Sequence, residues 1–218
     1  MTVPAEGHVS KVLVGTDYLP GILRVPPIAQ GLVFLIHRSE SERALSDDHG
    51  LALFLQEKGF ATLLFDLLTE LEASDDRHIF DIPLLALRLR GVENWAKEQT
   101  AIAHLPLGCL GGGTTAAASL VAAALNGSSL RAVVSRGGRP DLAKAYIRMV
   151  SVPTLLIVVG ADDGAIQCNQ KVYDELKCTK RFEVVSHAPE LVPGTENTGK
   201  VDHLAGDWFS SYLREKDQ

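Results

Sequence analysis

Short apolar segments recur along the chain and predict β-strands. They are rich in Val, Ile and Leu and lie at 11–15, 21–25, 32–37, 61–65, 105–110, 131–135, 153–159 and 181–185. The central segments are apolar at nearly every position, as strands buried on both faces of a parallel sheet must be. The first two are only ten residues apart around Asp-Tyr-Leu-Pro-Gly, which indicates an antiparallel hairpin.

Longer segments between these strands carry apolar residues at three- and four-residue spacing, which predicts helices. They lie at 44–58, 82–97, 114–125, 167–176 and 200–214. A hairpin followed by repeated strand–helix units predicts an α/β fold with a mostly parallel, doubly wound sheet of about eight strands. We find no internal repeat, linker or low-complexity tail, so we expect residues 1–218 to form a single domain.

Composition narrows the range of functions. The formal net charge of −6 argues against broad binding to nucleic acid or to anionic membranes. The three cysteines have no C-x-x-C spacing and predict neither a disulfide framework nor a zinc ribbon, so a cytoplasmic location is expected. The uncharged stretch 105–130 is interrupted by glycines and by Asn-Gly-Ser-Ser, which favours a buried strand and helix over a membrane span.

The stretch LGCLGGGTTAAAS at 107–119 has the outline of a nucleophile elbow. An apolar strand enters a glycine cluster, and an alanine-rich helix leaves it. In α/β-hydrolases this sharp turn carries the motif G-x-S-x-G, with the catalytic serine at its centre. No serine lies in the turn of this chain.

The chain resembles the small dienelactone-hydrolase-like members of the α/β-hydrolases over nearly its whole length. The resemblance is carried, in order, by ATLLFDLLTELE, FDIPLLALRL, AVVSRGGRPDLA, PTLLIVVG and LAGDWF. It implies the α/β-hydrolase fold with little or no cap. It also implies an ancestral activity on esters or lactones, which uses a nucleophile, a histidine and an acid.

The resemblance places the family's nucleophile at Gly113, within Gly111–Thr115. A glycine has no side chain and cannot form an acyl-enzyme. A competing register makes Cys109 the nucleophile, because dienelactone hydrolases proper use a G-x-C-x-G turn. Leu107 stands where that turn needs its first glycine, which favours Cys109 as a buried strand residue.

The same resemblance places the triad acid at Asp162. Without a gap, it places the triad histidine at Glu190. His187 lies three residues earlier and could take the role if the loop has shifted. In the oxyanion loop the family's H-G-S-G-S becomes His-Arg-Ser-Glu-Ser, with Arg38 and Glu40 in place of the glycines.

Two arginines after the sixth predicted strand could hold an anion. Arg136 and Arg139 flank Gly137-Gly138, and Arg38 could add a third positive charge. The alternative is that one of them pairs with Asp141, Asp66 or Asp81 and braces the loops. The candidate pocket comprises His37, Arg38, Cys109, Gly112, Thr114, Arg136, Arg139 and His187.

These departures favour a non-catalytic hydrolase-fold protein that binds an anionic small molecule or a protein partner. The alternative is an active ester or lactone hydrolase that uses an atypical group such as Cys109 or His187. A metal site at His187, Glu190 and Asp162 is a weaker idea, and we expect no metal and no cofactor. We expect no nucleic acid or membrane partner, and no segment specifies an oligomeric state.

Overall fold

The computed structural model describes residues 8–40, 43, 46, 48–160, 162–185 and 196–214. Eight strands are present in these ranges: β1 (His8–Val14), β2 (Leu19–Val25), β3 (Leu32–His37), β4 (Ala61–Asp66), β5 (Leu107–Gly112), β6 (Leu130–Gly138), β7 (Thr154–Val159) and β8 (Lys180–Val185). The helices described are α1 (Asp48–Glu57), α2 (Glu70–Ala73), α3 (Asp76–Ile79), α4 (Ile82–Glu98), α5 (Gly113–Ala124), α6 (Asp163–Glu175) and α7 (Glu196–Leu213).

All eight strands join one sheet in the order β1-β2-β4-β3-β5-β6-β7-β8. The hairpin β1–β2 is antiparallel, as its short connection predicts, and β2 also runs antiparallel to β4. Every other neighbouring pair is parallel. The predicted α/β-hydrolase fold, with a mostly parallel, doubly wound sheet, is confirmed.

Buried side chains cover both faces of this sheet. On one face the apolar residues of α4 and α5 pack against strand residues such as Phe34 and Cys109. On the other face α1 and α7 supply Leu51, Leu55 and Phe209, which pack against Val33 and its neighbours. Burial from both sides explains why β3 and β4 are buried at every position.

Two short helices escaped the periodicity analysis. Helices α2 and α3 have four residues each, too few to show a helical repeat. The sequence signal that does mark α2 is a capping box: the Glu72 amide donates to Thr69 Oγ1, and the Thr69 amide donates to Glu72 Oε2. Among the helices described, none is long and apolar enough to cross a bilayer.

The C-terminal helix lies directly on β5, with no room between them at Gly108. A Cβ placed on Gly108 would come within 2.8 Å of Phe209 Cε1 and 2.9 Å of Leu213 Cδ1. Gly199, near the start of α7, faces open space instead. Substitution of these two glycines should therefore have opposite effects on stability, because a side chain at Gly108 has no room and one at Gly199 has.

We expect Gly108→Ala to lower the free energy of unfolding by about 1–3 kcal/mol, because the added methyl overpacks the β5–α7 contact. Gly199→Ala should raise it by about 0.5–1 kcal/mol, because alanine favours the helix and meets no obstruction. Urea denaturation of both variants beside the unmodified protein measures the difference. Equal effects of the two substitutions would contradict this packing of α7.

Candidate functional site

The residues of interest gather where the parallel strands end. His37 and Asp66 are paired neighbours at the ends of β3 and β4. Gly111 of β5 lies beside Ile36, and Ser135 of β6 lies beside Gly111. In an open α/β sheet, ligands bind at this carboxyl edge.

The turn from β5 into α5 has the geometry of a nucleophile elbow. Gly113 has a φ of +49°, in the left-handed region that residues with a side chain rarely adopt. Gly111 lies so close to the next turn of chain that a Cβ there would be 2.7 Å from Thr115 O. A Cβ on Gly113 would meet nothing within 4 Å, so the point where a nucleophile would project is open.

Thr115 takes the place of the motif's last glycine and joins the elbow to the sheet. Its hydroxyl lies 2.8 Å from Gly112 O and 3.1 Å from Ile36 O, and it accepts the Gly112 amide at 3.0 Å. Thr115 is therefore a buried brace between β3 and the start of α5. The neighbouring Thr114 is also buried, but its hydroxyl has no hydrogen-bond partner among the described residues.

A buried carboxylate links the elements around the elbow. Asp48, the first residue of α1, is fully buried, and its Oδ2 lies 2.7 Å from His37 Nε2. The Arg136 guanidinium donates to both of its carboxylate oxygens, at 2.5 and 2.9 Å. Burial disfavours the Asp48 carboxylate, but Arg136 and His37 outweigh it and hold the pKa below its ordinary value.

A second pair lies next to this one. Arg43 Nε is 3.2 Å from both carboxylate oxygens of Asp66. Burial of Asp66 raises its pKa above the ordinary value, since Arg43 and His37 offset only part of the desolvation. The edge therefore alternates acidic and basic groups that neutralise one another.

The two arginines of the expected anion cradle are occupied by carboxylates. Arg139 forms an exposed bidentate pair with Asp141, at 2.8 and 2.9 Å. Arg136 is held by Asp48, which was not among its expected partners. Both contacts are those of the loop-brace interpretation, and the anion cradle stays a prediction. Arg38 lies at the same edge and is half-buried.

Cys109 cannot line a pocket or act as a nucleophile in this structure. It lies in the middle of β5 with no exposed surface, packed within the core. Burial raises the pKa of its thiol to about 12, so the reactive thiolate is not formed near neutral pH. Its place among the candidate pocket residues is therefore corrected to the core.

The remaining triad positions have different outcomes. Asp162 is the N-cap of α6, where its Oδ1 accepts the amides of Gly164 and Ala165 at 2.8 and 3.3 Å. Its carboxylate therefore serves a helix end. His187 and Glu190 lie outside the described residues. No group of three or more metal-ligating side chains occurs in the part of the chain that is described.

The pattern analysis missed Asp48, which organises the edge. The predicted helix 44–58 placed it inside an amphipathic surface helix, whereas α1 begins at Asp48 itself. The available signal was two consecutive acidic residues just before the apolar run that starts at Leu51. That signal indicates a helix start, but it cannot identify a partner 88 residues away.

Comparisons with known proteins agree with this geometry. No family model matches the chain. A crystal structure of dienelactone hydrolase from Anabaena variabilis is 40% identical and superimposes with a TM-score of 0.86 over 96% of this chain and 99% of that one. A dienelactone-hydrolase-like promiscuous phosphotriesterase from metagenomic libraries, 17% identical, has a TM-score of 0.76 over 97% of this chain and all of that one, which shows the fold alone.

Curated relatives from Mycobacterium tuberculosis carry a different name. The protein of strain H37Rv, "Putative phosphoribosyl transferase Rv0571c", is 41% identical over 210 residues, which are 96% of this chain. Its counterpart in strain CDC 1551 matches to the same extent. The chain spans about half the length of these relatives, 47% of each.

We expect Asp48→Asn to lower the free energy of unfolding by about 3 kcal/mol at pH 7, because Arg136 loses its buried counter-charge. The pKa of Asp48 is lowered by folding, so the advantage of the unmodified protein is full above about pH 4, the ordinary pKa, and shrinks as the pH falls below it. Urea denaturation at pH 7 and pH 3 measures both effects. Glu183→Gln, which breaks the exposed pair with Arg181, is the control and should change stability by less than about 0.5 kcal/mol. Equal losses in the two variants would contradict the bridging role of Asp48.

We expect iodoacetamide to alkylate Cys168 and Cys178, which are partly exposed, before Cys109. The Cys109 thiol should react only when the protein unfolds, because burial withholds both access and ionisation. Mass spectrometry of peptides after brief labelling, with and without urea, checks the order. Rapid labelling of native Cys109 would show that the strand is accessible.

Proposed function

Because this chain belongs to the dienelactone-hydrolase-like family of α/β-hydrolases, we propose that it is a member that binds a small molecule at the elbow without hydrolysing it. The observation that carries the proposal is Gly113. The elbow retains the turn geometry, with a φ of +49° and open space beyond it, but presents no atom that could attack a carbonyl. Loss of a triad nucleophile lowers the rate by about 10⁴ or more.

Other positions support the loss of hydrolysis. Glu190 takes the histidine position in the ungapped alignment with the family, and a carboxylate cannot serve as the base paired with Asp162. Asp162 is engaged in capping α6. Cys109, the substitute nucleophile, is buried with a raised pKa. The remaining hydrolytic alternative therefore depends on His187.

The elbow suits a small carboxylate as its ligand. It lies at the N-terminus of α5, a helix of 12 residues whose first amides point toward the open turn. A bound carboxylate would then occupy the place where the family binds an ester carbonyl. A protein partner at this edge is the other form that binding could take.

The transferase name of the mycobacterial relatives does not by itself describe this chain. The Anabaena hydrolase matches the same fold with 99% of its own length, so the matched half of the longer relatives corresponds to a hydrolase-like unit. We propose that the phosphoribosyl transferase activity in their name belongs to the half of those relatives that this chain does not match. The three free cysteines support a reducing compartment, and we propose the cytoplasm.

The test is turnover of p-nitrophenyl acetate at high protein concentration, together with labelling by a fluorophosphonate that traps activated serines. We expect the unmodified protein to show no turnover above buffer and no label. The double variant Gly113→Ser, Glu190→His should gain turnover and a single label at position 113. Serine at this left-handed position costs about 1–2 kcal/mol in backbone strain, but its side chain meets no obstruction.

Gly113→Ala is the matched control, since it has the same backbone strain without a nucleophile, and it should remain silent. Turnover by the unmodified protein that disappears in His187→Ala would overturn the proposal and identify the replacement catalyst. Turnover that disappears in Cys109→Ala would overturn it as well, and would contradict the buried position of that thiol.

A further inference from the structure

A second cavity lies at the amino edge of the sheet, opposite the elbow. Its volume is about 400 Å³, and it is bounded by the starts of β3, β5 and β6 and by the last turns of α4 and α7. Strand β5 runs from Leu107 at this cavity to Gly112 at the elbow. At roughly 3.3 Å per residue the two places are about 16 Å apart, so this cavity is separate from the elbow.

The cavity has a small apolar surface and a basic rim. Pro106 and Tyr212 are partly exposed and supply apolar surface, whereas Leu32, Leu130 and Leu213 are almost fully buried and present little of it. The exposed side chains of Lys97, His104 and Arg131 surround the same space. A cavity of this volume with a few convergent polar groups lies within the range of small-molecule sites.

The basic side chains of the rim are not held in ion pairs. None of Lys97, His104 and Arg131 forms an ion pair with a carboxylate of the described residues. Arg214 also lines the cavity, but it donates to Lys58 O at 2.9 Å. In a chain of net charge −6, the two cations Lys97 and Arg131 at one cavity form a local excess of positive charge, and His104 adds a hydrogen-bond donor.

One acidic side chain, Glu93, lines the cavity, and its charge is already compensated. Its Oε2 accepts Arg90 Nη1 and the Ser129 amide, both at 2.7 Å, and Ser128 Oγ lies 3.3 Å away. Glu93 is fully buried, and burial raises its pKa despite these contacts. These contacts hold the loop before β6, and the charge of Glu93 also attracts Lys97 without an ion pair between them.

We propose that this cavity binds a small organic phosphate. The phosphate group lies at the rim, where Lys97 and Arg131 supply charge-assisted hydrogen bonds and His104 a further donor, and the organic part lies against Pro106 and Tyr212. A phosphomonoester carries up to two negative charges and three acceptor oxygens, which matches three separate donors better than a single carboxylate does. Nothing in this site takes part in the chemistry of the elbow.

The experiment is calorimetric titration of the unmodified protein with phenyl phosphate, with benzoate and inorganic phosphate as comparison ligands. We expect one saturable site for phenyl phosphate. At this cavity benzoate should bind more weakly because it has one charge, and inorganic phosphate because it has no apolar part to bury; benzoate binding that Lys97→Gln and Arg131→Gln leave unchanged is assigned to the elbow. Lys97→Gln and Arg131→Gln should each weaken phenyl phosphate binding by about tenfold, the loss of one charge-assisted hydrogen bond.

Two controls separate this site from other causes. Lys144→Gln removes an equally exposed lysine from a different cleft and should leave the affinity unchanged. Gly113→Ala alters the elbow and should also leave it unchanged. The proposal is overturned if phenyl phosphate does not bind, if the rim variants weaken benzoate binding as much as they weaken phenyl phosphate binding, or if Lys144→Gln weakens phenyl phosphate binding as much as the rim variants do. A loss of binding in Gly113→Ala alone would assign the ligand to the elbow and would also overturn it.

Discussion

The carboxyl edge of this sheet depends on one close backbone contact, between the end of β5 and the first turn of α5. Gly111 lies against the carbonyl of Thr115, at a distance that excludes any Cβ. The chain must then turn sharply, and Gly113 takes a left-handed conformation. Gly138, at the end of β6, pairs with Gly113 and lies where a Cβ would be 2.4 Å from that of Ala116. Close backbone packing therefore maintains the turn, and the Thr115 hydroxyl braces it against β3.

Because packing maintains the elbow, the turn keeps its backbone geometry whether or not it carries a catalytic side chain. A residue with a catalytic side chain at this turn has a strained backbone conformation. The surrounding structure offsets the energy of that strain. Glycine adopts the same conformation without that cost. Glycine at position 113 is therefore less strained in this turn than a residue with a side chain would be. Thr115 adds hydrogen bonds to β3 in place of the missing glycine, so the departures from the motif preserve the turn.

The two edges of the sheet differ in how their charges are used. At the carboxyl edge Asp48 and Asp66 neutralise Arg136 and Arg43, and the charged groups serve to fasten loops and helices to one another. A buried pair of this kind is costly to break but adds little attraction for a ligand. At the amino edge the buried carboxylate of Glu93 pairs with Arg90, while Lys97 and Arg131 of the rim form no ion pair with the described residues. The charged pairs at the carboxyl edge therefore fasten the structure, and the two cations at the amino edge remain available to a ligand.

The sequence by itself determined the strands, the longer helices, the hairpin and the position of the elbow. Each of these depends on residues close together in the chain: the apolar period, the glycine cluster and the short connection. The tertiary structure decided that Arg136 faces Asp48, that Cys109 is enclosed, and that Lys97, His104 and Arg131 surround one cavity. These relations join residues far apart in the chain. The sequence shows the identity of a charged residue, but not whether its side chain is paired, buried or free. The partner and the solvent that decide its role are set only when the strands and helices pack.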